Sequence, residues 1–140
     1  SDRGGSWQLV RPSPGLEDAV LSVAVDPQNE ARWFAGMAGA IWVTDDAGSS
    51  WGPVLVTRRA GWVTGLSFTD VGVFAIADEQ AAAAGAPTSA LGFYVSTNRG
   101  ASWDTLPVPT SAAGGRALAV GGAGDLLIGT QSGVWKVQMR

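Results

Sequence analysis

Three six-residue segments of the chain follow the pattern Asp/Asn-x-Gly-x-Ser-Trp. They span residues 2–7, 46–51 and 98–103, and are called box 1, box 2 and box 3 below. An Asp or Asn side chain can accept hydrogen bonds from backbone N–H groups two residues on, and a Gly can adopt a backbone conformation closed to other residues. The Trp can then cover the turn with a large apolar face. Each box therefore predicts a tight hairpin turn held together by its own side chains.

The recurrence of the same side chains in the boxes predicts a structural role for their residues. A hydroxyl side chain also stands two positions before boxes 2 and 3, and Asn98 is the one departure from Asp. A calcium loop is not predicted, because the acidic positions needed for six or more oxygen ligands are missing. The residues given this structural role are Asp2, Gly4, Ser6 and Trp7; Thr44, Asp46, Gly48, Ser50 and Trp51; and Ser96, Asn98, Gly100, Ser102 and Trp103.

Short runs typical of β-strands surround the boxes and recur in the same order. Turn signals such as Asp26-Pro27 separate the runs, so we expect an all-β chain made of four-stranded antiparallel units. The predicted strands are 19–25, 33–35, 40–44 and 53–57 in the first unit; 62–68, 73–77, 93–96 and a weak 106–108 in the second; and 116–120, 126–130 and 134–137 in the third.

The boxes resemble the Asp box, Ser/Thr-x-Asp-x-Gly-x-Thr/Ser-Trp, of the bacterial-neuraminidase-repeat β-propellers. That group includes sialidases, sortilin-type receptors, xyloglucanases and photosystem II assembly factors. With the flanking strands, the resemblance covers nearly the whole chain. It implies a β-propeller of four-stranded antiparallel blades, with three blades' worth of strands, half a propeller, in this chain. The expected units are an outer strand in residues 1–15, blades in 16–57 and 58–110, and an incomplete blade in 111–140.

The two ends of the chain have complementary deficits. The third unit has no box and no fourth strand, whereas the chain begins with box 1 and a strand-like run at residues 8–11. Propellers usually have four to eight blades, and an open arc of three would leave strand edges bare. Three alternatives stay open. The chain forms a homodimer of six blades closed by strand exchange, or it is part of a longer parent propeller with further blades. In the third alternative, residues 8–11 fold onto the chain's own third unit.

Composition excludes several classes of function. The chain has no histidine and no cysteine, which removes Ser-His-Asp catalysis, thiolate nucleophiles and cysteine-type zinc sites. We expect no metal and no cofactor. The net charge of −3 leaves no basic excess to neutralise the phosphates of a nucleic acid,. The chain contains no run of 18 apolar residues, so we expect no membrane span. The sequence does not specify a compartment, although the resemblance favours an extracytoplasmic one.

The residues that sialidases and glycosidases need for catalysis do not favour an enzymatic role. The resemblance to sialidases implies an arginine triad and a tyrosine nucleophile, but the single tyrosine, Tyr94, lies in a strand where Trp42 and Trp135 stand in the other units. A glycosidase needs two carboxylates across a cleft. The carboxylates least explained by turn chemistry are Asp78 and Glu79, which are adjacent in sequence and do not by themselves form an acid–base pair.

The predicted ligand site lies at the loops opposite the boxes, because the resemblance places the box hairpins on one face of the propeller and ligands on the other. A cationic rim with one aromatic side chain could hold an anionic sugar or a carboxylate-bearing peptide. The alternative is ordinary surface charge, with the tryptophan in the core. We therefore expect a non-catalytic binding or assembly scaffold, and alternatively a carbohydrate-active enzyme or a fragment of one. The candidate residues are Arg58, Arg59, Trp62, Asp78, Glu79 and Arg116.

Overall fold

The computed structural model describes residues 5–12, 19–57, 61–80, 89–121 and 125–138, and their regular structure is entirely β-strand. The strands form three antiparallel sheets with the neighbour orders β1-β2-β3-β4, β5-β6-β7-β8 and β9-β10-β11, called sheets 1, 2 and 3. The prediction of an all-β chain is confirmed. The strands are β1 Ser22–Asp26, β2 Asn29–Gly36, β3 Ala40–Thr44, β4 Gly52–Val56, β5 Trp62–Thr69, β6 Gly72–Gln80, β7 Ser89–Ser96, β8 Asp104–Thr105, β9 Gly115–Val120, β10 Leu126–Thr130 and β11 Gly133–Val137.

The core consists of two apolar layers, one on each side of sheet 2. Side chains alternate between the two faces of a strand, and β6 is buried on both faces from Val73 to Ala77. The layer between sheets 1 and 2 is built on Phe34, Ile41, Val63, Leu66, Ala75, Ala77 and Tyr94. The layer between sheets 2 and 3 is built on Phe74, Ile76, Leu91, Phe93, Ala112, Leu126 and Ile128.

The three sheets follow one another as the blades of a propeller do. The chain enters each sheet at one edge and steps outward strand by strand. The first strands are neighbours across the sheets, since β1 contacts β5 and β5 contacts β9. The predicted unit boundaries at residues 16, 58 and 111 stay predictions.

Most strand bounds differ from the prediction by one to four residues, and two of these differences change a connection between strands. The fourth strand of sheet 2 is Asp104–Thr105, so the strand predicted at 106–108 is wrong. Leu106 N still donates to the Phe93 carbonyl at 2.8 Å, but Pro107 and Pro109 have no N–H with which to continue the ladder. The loop predicted over 78–92 is shorter, because β6 extends to Gln80 and β7 begins at Ser89.

Residues 5–12 contain no strand in the single chain, although residues 8–11 were predicted to form one. They lie against sheet 1. A Cβ added to Gly48 would come 2.6 Å from Val10 Cγ1 and 3.0 Å from the Trp33 ring. Residues 8–11 therefore do not extend the chain's own sheet 3.

Candidate functional site

The predicted ligand residues that the structure brings together are Trp62, Asp78 and Arg116. Trp62 and Asp78 are direct partners in the β5–β6 ladder, so their side chains leave the sheet on the same face. Arg116 comes from the start of β9, and its Nη1 lies 3.0 Å from Asp78 Oδ2. Trp62 is 49% exposed, and the Arg116 side chain is 53% exposed. An accessible indole and an accessible guanidinium thus flank one carboxylate where sheets 2 and 3 meet.

This site lies at the end of the sheets opposite the box hairpins. β6 begins at the turn to β5, at Gly72, and ends at Gln80. Asp78 is near that second end, whereas box 3 follows β7 at the first end, where Val73 pairs with Ser96. The fold therefore separates the box residues from the Trp62–Asp78–Arg116 site by the length of a strand.

Polar side chains converge beside Asp78. Asp78 Oδ1 and Ser89 Oγ are buried and have no hydrogen-bond partner among the described residues. A Cβ added to Gly114 would lie 2.8 Å from Asp78 Oδ1, 2.9 Å from Ser89 Oγ and 3.1 Å from Gln131 Nε2. Gly114 has a φ of 54°, so this backbone can approach the cluster closely. Buried polar atoms are almost always paired, and these two retain hydrogen-bonding capacity that the described protein does not use.

Glu79 points away from Asp78, as neighbours on a strand must. It is 5% exposed, and the Tyr94 hydroxyl donates to its Oε1. Cβ atoms added to Gly61 or Gly92 would each come 2.6 Å from the Glu79 side chain. Because Tyr94 belongs to the layer between sheets 1 and 2, Glu79 is enclosed there. Arg58 and Arg59 lie outside the described residues.

Box 2 is a hairpin closed by its own side chains. Asp46 Oδ1 accepts from the Thr44 hydroxyl at 2.7 Å and from Ser50 N at 2.8 Å, while Ser50 Oγ donates to Oδ2 at 2.5 Å. Gly48 N donates to Thr44 Oγ1 at 2.9 Å, and Trp51 Nε1 to Gly48 O at 3.1 Å. The amide bound by Asp46 is thus four residues on, not two as predicted. The Ser50 hydroxyl, Ser50 amide and Thr44 hydroxyl lower the pKa of Asp46 to about 2.

Box 3 repeats this geometry with an amide in place of the carboxylate. Asn98 Oδ1 accepts from Ser96 Oγ and from Ser102 N, both at 2.8 Å. Asn98 Nδ2 donates to Ser102 Oγ at 2.7 Å, and Gly100 N donates to Ser96 Oγ at 2.7 Å. Trp103 packs edge-on against Phe34 with ring centroids 6.4 Å apart. The side chains of Ser96, Asn98 and Ser102 therefore satisfy one another, whereas the buried Trp103 Nε1 has no hydrogen-bond partner among the described residues.

Box 1 is only partly described. Asp2 and Gly4 lie outside the described residues, Ser6 is exposed, and Trp7 is 92% exposed. In the single chain, Trp7 therefore has a surrounding quite different from that of Trp103.

The ion pair between Arg99 of sheet 2 and Asp26 of sheet 1 was not predicted from the sequence. Arg99 has a φ of 60°, and its guanidinium reaches Asp26, whose side chain is 2% exposed. The available signal was an arginine at the second position of box 3, repeated as Arg3 in box 1. Asp26 had been interpreted as a turn residue, and its Oδ1 does accept from Gln28 N at 2.9 Å.

Two kinds of feature are absent from the described part of the chain. It holds no group of three or more histidine, cysteine or acidic residues placed to bind a metal ion. It also holds no helix long and apolar enough to cross a membrane.

Two solved structures resemble the chain. YCF48 from Cyanidioschyzon merolae superposes with a TM-score of 0.64 and 16% sequence identity, covering 90% of this chain and 36% of that one. An ancestral GH74 enzyme superposes with a TM-score of 0.65 and 20% identity, covering 84% of this chain and 17% of that one. No protein-family model matches the sequence, and no curated protein matches it.

The likeness establishes the fold. Both neighbours are propellers of the kind that the boxes resemble, so the predicted β-propeller architecture is confirmed. The chain spans 36% of the first structure and 17% of the second, and it corresponds to part of a propeller. One neighbour is described as an enzyme, whereas the name of the other specifies no activity.

Proposed function

We propose that the chain is a non-catalytic binding or assembly scaffold whose ligand binds at Trp62, Asp78 and Arg116. The observation that carries the proposal is the Arg116–Asp78 ion pair beside the exposed indole of Trp62. The site lies at the ends of hydrogen-bonded strands, and binding residues generally concentrate on the loops and ends of such scaffolds. The role would be similar in kind to that of the sortilin-type and photosystem-assembly propellers that the boxes resemble.

The chemistry of the site suits a ligand with hydroxyl or carboxylate groups. An indole offers a flat apolar face together with one N–H donor. The Arg116 guanidinium offers several donors in a plane, which fit a carboxylate or paired hydroxyls. Asp78 Oδ1 and Ser89 Oγ have unused hydrogen-bonding capacity. An oligosaccharide presents all the complementary groups, and a carboxylate-bearing peptide presents some of them.

A carbohydrate-active enzyme is the second candidate, and the likeness to a GH74 enzyme favours it. Its mechanism would need two carboxylates facing one cleft. Asp78 is ion-paired to Arg116, and Glu79 is enclosed in the layer between sheets 1 and 2, where it accepts the Tyr94 hydroxyl. These two side chains leave opposite faces of β6, which counts against their acting as an acid–base pair.

A glycan array followed by calorimetric titration of the bound sugar tests the proposal. Arg116→Ala and Trp62→Ala should each weaken binding at least tenfold. Arg32→Ala is a matched control, because Arg32 pairs with Asp45 at the opposite end of the sheets. Val71→Ala is the second control, since Val71 is 50% exposed on the β5–β6 turn. Both controls should bind like the parent chain.

Two results would count against the scaffold proposal. If Arg116→Ala and Trp62→Ala bind every array ligand and every carboxylate peptide as the parent does, the site is misassigned. If the parent chain hydrolyses aryl glycosides and loses turnover in Asp78→Ala or Glu79→Ala, the enzymatic alternative replaces it.

A further inference from the structure

The left face of sheet 1, meaning the face turned away from sheet 2, is an apolar surface without a sheet against it. In sheet 2 the cross-strand row Leu66–Ala75–Tyr94 faces sheet 1, and its members are 9%, 0% and 2% exposed. In sheet 1 the corresponding row is Val23–Ala35–Trp42. There Val23 is 70% exposed, and Val25 on the same strand face is 52% exposed. Ala35 is 1% exposed, so the row is covered throughout in sheet 2 but open at its Val23 end in sheet 1.

The right face of sheet 3, turned away from sheet 2, is open as well. In sheet 2 the row Gly65–Ile76–Phe93 faces sheet 3, and Ile76 and Phe93 are 0% and 2% exposed. The corresponding row in sheet 3 is Ala117–Gly129–Val134, where Val134 is 76% exposed.

The two open faces differ in side-chain size. Sheet 1 presents the bulky side chains of Trp33 and Trp42. Sheet 3 presents the small residues Ala117, Ala119 and Gly129 between the larger side chains of Leu127, Val134 and Lys136. Large side chains packed against small ones interdigitate without leaving voids.

Residues 5–12 lie where the outermost strand of a sheet before sheet 1 would lie. Val10 and Val54 are each three residues beyond a box tryptophan. Val54 packs against the layer that contains Leu66 and Tyr94 of sheet 2, and Val10 packs against Trp33 of sheet 1. Beyond β11, the described residues include no further strand in sheet 3. Among the described residues, sheet 3 has three strands and residues 5–12 belong to no sheet.

The space between residues 5–12 and sheet 1 is a groove of about 530 Å³. Its lining includes Leu9, Val10, Val23, Val25, Trp33 and Trp51, all of them apolar.

We propose that the left face of sheet 1 packs against sheet 3 of a second copy of the chain, and that side chains of that sheet fill this groove. The right face of that sheet packs on the left face of sheet 1, and residues 5–12 run beside the second copy's β11 as its fourth strand. A two-fold axis repeats the contact, so two copies close a ring of six blades, which is within the four to eight that propellers use. The proposal is independent of the ligand site.

The packing inside the chain predicts one contact between the copies. A Cβ added to Gly65 would lie 2.8 Å from Leu118 Cβ across the interface between sheets 2 and 3. Val23 takes the place of Leu118 in sheet 1, and Ala117 takes the place of Gly65 in sheet 3. Val23 of one copy therefore contacts Ala117 of the second copy. Within one chain the two residues are on outer faces, with sheet 2 between them.

Light scattering on a sizing column measures the association of the 140-residue chain. The expected mass is twice 14.3 kDa. Val23→Arg and Val134→Arg should each give monomers with an unchanged circular dichroism spectrum, because both side chains are exposed in the single chain. Val71→Arg, on an exposed turn away from both faces, is the control and should stay dimeric.

Cysteine cross-linking tests the contact itself, since the chain has no cysteine of its own. A Val23→Cys/Ala117→Cys chain should give a covalent dimer on oxidation that a reductant reverses, while Val71→Cys/Ala117→Cys should give far less. A parent chain that stays monomeric at every concentration would overturn the proposal. A dimer that survives both arginine substitutions, or that cross-links equally in the control, would also overturn it. Ligand binding is measured separately, so neither result bears on Trp62 or Arg116.

Discussion

Arg99 and Asp26 are 73 residues apart in the chain and are joined by two hydrogen bonds, from Arg99 Nε at 2.8 Å and Nη2 at 2.5 Å to Asp26 Oδ2. The pair connects the box 3 hairpin of sheet 2 to the β1–β2 turn of sheet 1. Asp26 is 1% exposed as a residue, and the Arg99 side chain is 49% exposed. The contact therefore fixes the relative positions of two neighbouring blades at their box end.

Arg99→Ala should lower the free energy of unfolding by about 2 kcal/mol, the scale of a charge-assisted hydrogen bond whose buried partner is left behind. The control is Asp45→Ala, which breaks the ion pair of the 61% exposed Asp45 with Arg32 but leaves Arg32 in place. It should cost about 1 kcal/mol or less. Urea unfolding at pH 7 measures both values. Equal losses for the two variants would show that the buried carboxylate contributes nothing special.

The chain should lose stability in acid between about pH 4 and pH 2. Burial raises the pKa of Asp26, but the Gln28 amide and the Arg99 guanidinium outweigh it, so the folded value is below the ordinary 3.8. Hydrogen bonds from Ser50 and Thr44 lower the pKa of Asp46 to about 2. A depressed folded pKa stabilises the fold above the unfolded pKa, and this contribution disappears as the pH falls through the folded value.

Exchanging Asp and Asn between boxes 2 and 3 tests the source of this acid sensitivity. Asp46→Asn should fold with the hydrogen-bond pattern seen around Asn98, and its stability should fall less between pH 7 and pH 2.5 than that of the parent. Asn98→Asp should fall more, because it adds a carboxylate with a depressed pKa. Urea unfolding at the two pH values tests this. Identical pH dependence in all three chains would refute the assignment.

Alanine substitutions at Gly39 and Gly100 distinguish the cost of backbone strain from the cost of overpacking. Both have positive φ, 73° and 89°. A Cβ at Gly39 would meet nothing within 4 Å, whereas one at Gly100 would overlap the Phe34 ring. Gly39→Ala should cost about 1 kcal/mol for the left-handed backbone alone, and Gly100→Ala about 3 kcal/mol once overpacking is added. Thermal unfolding ranks the two variants. A Gly39→Ala chain as unstable as Gly100→Ala would contradict this.

Tyr94→Phe should destabilise the chain by about 1 to 3 kcal/mol, because it leaves the buried Glu79 without its hydroxyl donor. Glu79→Gln in the Tyr94→Phe background should recover part of the loss, since a neutral amide costs less to bury than a carboxylate. The four chains of this double-mutant cycle give the coupling energy. No coupling between the two substitutions would mean that the hydrogen bond does not stabilise the fold.

Local patterns predicted most of the fold. The two described hairpins closed by Asp46 and Asn98 depend on contacts within six residues, and their sequences specify those contacts directly. Strands β3 and β10 have the predicted bounds, because their apolar runs end at turn residues. The strand predicted at 106–108 does not form, because Pro107 and Pro109 have no N–H with which to continue the ladder.

The candidate site was predicted only in part. The sequence put Asp78 and Glu79 together as a pair, and the strand that contains them directs their side chains to opposite faces. Trp62 and Arg116 were predicted on separate loops. The β5–β6 ladder places Trp62 beside Asp78, and the packing of sheet 3 on sheet 2 brings Arg116 to it.

Residue identity alone predicts that this chain forms short strands, where its hairpins turn, and that it contributes no histidine or cysteine side chain to a site. These properties depend on residue identity and on neighbours a few positions away. Only the tertiary structure decided that Arg99 binds Asp26, that Glu79 is enclosed against Tyr94, and that sheets 1 and 3 present open faces. Those facts depend on contacts between residues far apart in the chain, and such contacts exist only once the sheets have packed.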